Sequence, residues 1–291
     1  MTERPRVGLH YVATPDSMDV VEFAVAAEAR GFEGVFLPEH THIPVSRATP
    51  YPGGVEMPEK YKHVWDPYVA LSFVAASTSL AIGTCVSLVG EHDAIALAKT
   101  VATLDQLSRG RMVFGVGYGW NREEFEDHGY LRDDLRAVVR EKVALMRALW
   151  TEDVASFAGD HVSLSPSWAW PKPAQQPHPP VLLGVPATDW HFAELARWAD
   201  GWIPMAMPTA EQLAPDVERL RRQWVDAGRD PTTVQIAAMQ LPDATRLERE
   251  LDAFAALGVG WLMIDVPTAP ADVVLPALDE LSSITADRDE V

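Results

Sequence analysis

The chain has 291 residues, 47% of them hydrophobic, and a formal net charge of −18 at pH 7. That apolar content fills one α/β barrel or two smaller domains, and the acidic balance argues against nucleic acid or an anionic membrane as partner. A single cysteine, Cys85, excludes a disulfide framework; with no signal-like or membrane-spanning apolar run, a soluble cytoplasmic protein is expected.

Positions 6–12 read as a short apolar strand, and Val20, Phe23, Ala24 and Ala27 then recur at helical spacing up to Gly31. The stretch GVFLPEH, 34–40, is a second strand. The loop of 41–65, rich in Pro, Gly and Tyr, has a length that in compact domains usually marks function or disorder. Asp66 is placed to cap a helix through Ser79, with Pro67 at its first position. Positions 80–89 form a strand. A helix over 93–108 follows, with Ala94, Leu97, Ala98, Val101 and Leu104 on one face and Gly110 set for a left-handed stop.

In the strand after it, Met112, Phe114, Val116 and Tyr118 alternate with Val113, Gly115, Gly117 and Gly119. Side chains alternate across a strand, so one face is nearly bare toward the end. A flat ligand, or another backbone, can approach such a face closely. A polar loop follows Trp120, then a long helix over 131–150. Segment 157–180 carries many prolines and a Gly-Asp turn, so it reads as an irregular insertion outside the repeat. Strands over 181–184, 201–206, 234–240 and 261–266 alternate with helices over 188–199, 211–227, 244–257 and 271–284.

About eight alternating units predict parallel pairing in a closed (β/α)8 TIM barrel, one domain over 1–291; an open doubly wound sheet is the alternative. Barrel chemistry sits at strand C-termini. That rule selects Glu39 and His40, 84–88, 118–121, 184–188, 205–207 and Asp265. His40 can serve as acid or base near neutral pH, with a hydrogen-bonded loop histidine as the plain alternative. Strand alternation turns Glu39 away from it. His40 and His42 form an HxH pair such as metal-dependent barrel hydrolases use, and Asp265 matches their last-strand aspartate. No histidine follows His191 and no lysine ends the fourth strand, so no metal site is expected. Cys85 reads as a small buried residue. Thr188 is placed to cap the next helix, where free N–H groups suit a phosphate; the single glycine and Asp189 count against that.

Four blocks carry a resemblance: GFEGVFLPEH; DPYVALSFVAASTSLAIGTCVSLV; AKTVATLDQLSRGRMVFGVGYGWNREEFEDHG; and ALWTED with PKPAQQPHPPVLLG and ADGWIP. In this order they resemble the luciferase-like flavin and deazaflavin oxidoreductases, above all the F420-dependent branch. The resemblance implies a (β/α)8 barrel with an excursion at 157–180 and a flat cofactor across the strand ends. It implies a cis Cys85-Val86 peptide supporting the ring, and His40 near the reactive ring carbon. Gly117, Tyr118, Gly119, Trp120 and Asn121 would run along the cofactor, and Gly184, Val185, Ala187 and Thr188 would form its phosphate turn. Glu39 is the second catalytic candidate, beside His40.

Three departures follow, the first bearing on the cofactor's phosphate contact and the other two on the substrate. Val185 stands where many relatives have a second glycine. Trp120 stands where the glucose-6-phosphate dehydrogenases of the family have glutamate, and 204–207 lacks their lysine. A pocket of Trp65, Trp120, Met205 and Met207 suits a small neutral or apolar organic molecule. The expected reaction is hydride transfer with F420. Alternatives are an FMN-dependent monooxygenase using reduced FMN and oxygen, a metal-dependent hydrolase using His40 and His42, and a non-catalytic flavin-binding relative. Family barrels often pair, so a homodimer is expected.

Overall fold

Every predicted β–α unit forms. In the computed structural model, which describes residues 4–285, eight parallel strands close a barrel. They are β1 (Arg6–His10), β2 (Gly34–Leu37), β3 (Ala81–Ser87), β4 (Met112–Gly117), β7 (Val181–Val185), β8 (Gly201–Pro204), β9 (Gln235–Gln240) and β10 (Trp261–Asp265). They neighbour one another in chain order, and β10 returns to β1. The helices lie between them: α1 (Val20–Glu28), α2 (Pro67–Ser77), α3 (Ala94–Leu107), α4 (Arg122–Asp127), α5 (Leu135–Thr151), α6 (Asp189–Trp198), α7 (Ala210–Asp226), α8 (Ala244–Ala256) and α9 (Ala271–Leu281). Closure rules out the open-sheet alternative. No helix among the described residues is long and apolar enough to cross a membrane.

Strand alternation builds two apolar cores. Val7 and Leu9 of β1, with Leu262 and Ile264 of β10, pack outward against the helices. Phe36, Ala81, Val113, Leu182, Trp261 and Met263 fill the lumen, with Phe36 and Trp261 edge-on at 5.1 Å. The helix starts follow local chemistry: Asp66, Asp93 and Thr188 accept from Val69, Ala96 and His191 N–H.

Two readings need correction. Segment 157–180 is not irregular throughout, because β5 (Ala155–Ala158) and β6 (Ser163–Ser167) pair antiparallel around the Gly-Asp turn. The stretch after Trp120 is not all loop: Asn121 caps α4, accepting from Glu123 and Glu124 N–H. The Cys85-Val86 peptide is cis, as the resemblance implied, and the β3–β4 register shifts between Thr84 and Ser87.

Candidate active site

At the C-terminal end of the strands lies a cleft of about 1040 Å³. His40, Cys85, Val86, Trp120 and Gly184 border it, and Met205, Met207 and Met239 supply sulfur-rich apolar wall. The 41–65 loop contributes Tyr51 and Tyr61. Their rings and Trp120 surround His40: Tyr61 lies 5.5 Å and Trp120 6.0 Å from its ring centre, and Tyr51 packs edge-on against Trp120 at 5.3 Å. The long loop therefore forms part of the cleft wall. Trp65, expected in this pocket, lies elsewhere, beside Asp66, Val69 and Phe73 on the outer face of α2.

His40 is held from behind. Its Nδ1 lies 2.9 Å from both carboxylate oxygens of Glu124, in the first turn of α4. Both side chains are almost fully buried. A carboxylate accepts, so Nδ1 donates and Nε2 is left toward the cleft with no protein partner among the described residues. That is a general acid–base geometry.

Glu39 does not orient His40. Alternation sends it to the other side, where Oε2 accepts from Ser87 Oγ (2.9 Å) and Leu88 N (2.6 Å), and Oε1 meets His92 Nε2 at 2.7 Å. With its oxygens occupied, Glu39 braces the end of β3 at the edge of the cleft. His40 and His42 also diverge, because His42 Nε2 pairs with Asp127 at 3.1 Å. Asn121, expected along the cofactor, spends its side-chain oxygen on the α4 cap and lies outside the cleft wall.

The glycine face of β4 meets protein. A Cβ on Gly115 would lie 2.1 Å from the Thr84 carbonyl oxygen, and one on Gly117 2.3 Å from a Val86 methyl. The bare face thus receives the β3 bulge, which brings Cys85 and Val86 into the cleft wall. Burial, then the charge of Asp265, pushes the Cys85 thiol up to about 12, so it stays protonated at neutral pH.

The far end of the cleft carries two arginines, Arg132 and Arg136, with Asp133 beside them. Arg132 donates to the carbonyls of Tyr118 and Gly119, and burial followed by the neighbouring Arg136 lowers its pKa. Arg136 stacks over Trp190 at 4.3 Å and makes no ion pair among the described residues. His191 closes this end, its pKa lowered by burial and by Arg136. The Tyr118 hydroxyl is buried without a partner, its pKa raised by burial. Of the predicted phosphate turn, Gly184 and Val185 border the cleft, whereas Ala187 and Thr188 lie outside its wall. Sequence reading missed Arg132, Arg136 and His191, since no local pattern says that α5 and α6 meet there.

The fold and cleft have counterparts. The family model described as luciferase-like monooxygenase matches residues 3–270. An uncharacterized protein of Mycobacterium tuberculosis is 41% identical over 263 residues, covering 88% of this chain and 90% of that protein. A phthiodiolone/phenolphthiodiolone dimycocerosates ketoreductase of the same species is 27% identical, covering 78% of this chain and 61% of its own length. Among solved structures, an F420-dependent secondary alcohol dehydrogenase superposes with TM-score 0.76 at 17% identity, covering 97% and 98% of the two chains. An FMN-bound type II Baeyer–Villiger monooxygenase component from Pseudomonas putida superposes with TM-score 0.71 at 14% identity, covering 98% and 99%. The match of the family model along nearly the whole chain establishes that this protein belongs to the luciferase-like monooxygenase family, whose members are oxidoreductases.

Proposed function

We propose that this protein transfers a hydride between coenzyme F420 and a small neutral alcohol or ketone. The observation that carries the reading is His40: a buried imidazole, oriented by Glu124, whose free Nε2 opens onto a largely apolar cleft. The names of the related ketoreductase and secondary alcohol dehydrogenase support an alcohol–carbonyl substrate pair.

The cleft fits an elongated cofactor with an anionic tail. Arg132 and Arg136 supply positive charge at one end of an otherwise acidic protein, and the neutral His191 and the unpartnered Tyr118 hydroxyl can donate hydrogen bonds there. Val86, Gly184 and the methionines supply the flat apolar part. When bound, the deazaflavin supplies the carbon that accepts or gives the hydride. His40 exchanges one of the accompanying protons through Nε2, and Tyr51, Tyr61 and Trp120 exclude water around it.

FMN also pairs a flat ring with a phosphate, and the Baeyer–Villiger neighbour carries it, so an FMN-dependent monooxygenase is the second reading. Separate fluorescence titrations with F420 and FMN, followed by a screen of secondary alcohols and ketones, distinguish them. Tight FMN binding with no F420 binding would reject the hydride-transfer reading.

A further inference from the structure

A second imidazole–carboxylate pair stands at the top of the barrel lumen. His10 ends β1 and Asp265 ends β10, and the two are register partners on adjacent strands. Along β10, Trp261 and Met263 fill the lumen, so alternation puts Asp265 on the same inner face. His10 shares the inner face of β1, because Leu9 and Val7 belong to the outer core. His10 Nδ1 lies 2.7 Å from Asp265 Oδ1, and His10 Nε2 has no protein partner among the described residues.

This pair adjoins the cleft from below. Cys85 and Met239, which border the cleft, meet at 3.5 Å between their sulfurs in the same lumen. The charge of Asp265 reaches two wall residues. After burial it adds to the upward shift of the Cys85 thiol, and after burial and Tyr51 to that of the Tyr61 hydroxyl. Burial works to raise the carboxyl of Asp265 itself, yet its hydrogen bond with His10, together with the charges of His10 and Lys60, brings it below the usual range. The Asp265 side chain keeps 29% exposure, against 8% for His10 and 1% for Glu124, so the carboxylate side of this pair reaches the solvent-filled space above the lumen.

We infer that His10 is a second acid–base residue of this site, positioned by Asp265, and that it exchanges the proton of the substrate's oxygen. The inference rests on the hydride-transfer reading. In the oxidative direction the carbinol C–H bond breaks and its hydrogen leaves with the electron pair, as hydride, to the deazaflavin. The O–H bond breaks and its proton goes to His10 Nε2, while the carbon–oxygen bond becomes double. The cofactor, when bound, would supply the hydride acceptor and a ring nitrogen for the second proton, which His40 is placed to deliver. The reaction therefore has two proton sites, and the barrel has two pairs with the same arrangement, Nδ1 held by a carboxylate and Nε2 free: His40–Glu124 bordering the cleft and His10–Asp265 at the strand ends beneath it.

The test has two arms. Diethyl pyrocarbonate labels free imidazole nitrogens, and peptide mapping reports each histidine separately. We expect His10 to be labelled in the ligand-free protein, and labelling to slow about tenfold when F420 is present at roughly ten times its Kd. A His10 that stays unlabelled while His40 reacts would mean a sealed brace across the β1–β10 seam, and would overturn the inference. In the second arm, His10→Gln and the near-isosteric Asp265→Asn are compared with wild type on an alcohol found in the screen, with cyclohexanol as first probe. His10→Gln should lower kcat roughly 10²-fold or more and remove one limb of the kcat–pH profile, with F420 Kd nearly unchanged. Asp265→Asn keeps the arm usable if His10→Gln fails to fold. Wild-type kcat with an unchanged pH profile rejects the role. F420 failing to bind the wild type rejects the cofactor reading, and His10 labelling still reports whether the lumen pair is accessible.

Discussion

Glu124 faces Nδ1 of His40 with both carboxylate oxygens at 2.9 Å, joining the end of β2 to the first turn of α4 across 84 residues. The contact fixes ring orientation and tautomer, which decides what Nε2 can do. Replacing His40 by Ala is expected to lower kcat roughly 10²–10⁴-fold while cofactor Kd changes little. Glu124→Gln keeps the shape but presents an amide, so it should lower kcat less than His40→Ala and leave Kd unchanged. Steady-state kinetics and fluorescence titration separate these effects. A near-normal kcat for His40→Ala would show that the histidine only braces the following loop.

Gly117 carries a different expectation once its neighbour is known. Its missing side chain makes room for Val86, because a Cβ would sit 2.3 Å from a Val86 methyl. Gly117→Ala should destabilise the fold by about 1–3 kcal/mol through overpacking. Val86→Ala in the same chain should recover much of that loss, whereas two independent sites would simply add. Urea unfolding of the two single variants and the double variant measures the coupling. An additive result would mean that the β3 bulge does not depend on the bare face of β4.

Much of this arrangement was legible in the sequence, because period-2 and period-3.6 patterns alternate cleanly and the caps are local. Asp66, Asp93 and Thr188 each announce a helix by one side chain accepting one N–H nearby. Helix α4 carried the same signal, since Asn121 stands three residues before Glu124, but the Glu124 carboxylate turns to His40 instead of back to the cap, which no local pattern announces. Other features depend on distant contacts. Bringing His10 to Asp265 needs β1 to pair with β10, 255 residues apart, and that follows only from closure of the barrel. Likewise, three glycines in a strand cannot say whether their guest is a cofactor or the cis-bonded β3 bulge.

Arg136 bears on affinity rather than turnover. It makes no ion pair among the described residues and stands beside Arg132 and His191 at one end of the cleft. An exposed guanidinium of this kind suits an anionic tail. Arg136→Gln should weaken F420 binding roughly tenfold, in line with one charge-assisted hydrogen bond, and the loss should shrink at high salt. The deazaflavin riboside lacking the phosphate tail should bind both proteins equally. Equal weakening of both ligands would place Arg136 against the ring instead.

Glu91 makes stability depend on pH. It is buried beside Glu124 and Glu39, accepts from Thr41 Oγ1 at 3.0 Å, and faces His128 at 3.7 Å. Burial first, then the charge of Glu124, pushes its carboxyl up to about 8. In the unfolded chain the same group titrates near the ordinary carboxylate value of about 4.3. Between those values the folded state holds a proton that the unfolded state has released, so folding is favoured less as pH rises. The contribution is complete below the unfolded pKa and lost by about pH 8, and over that window it amounts to about a few kcal/mol. Lys142, lowered by burial to about 8, acts oppositely and only above that pH. Burial pulls His92 down, but its hydrogen bond with Glu39 and the charges of Glu39 and Asp66 together raise it, so it slopes in the same direction as Glu91. Comparing Glu91→Gln with wild type cancels the contributions of these neighbours to first order. The amide cannot ionise and can still accept from Thr41, so the variant should lose little stability at pH 5 and gain several degrees in Tm over wild type at pH 8. Thermal unfolding at half-unit steps between these values checks the sign, and parallel Tm curves for the two proteins would mean that Glu91 is ionised in the fold throughout.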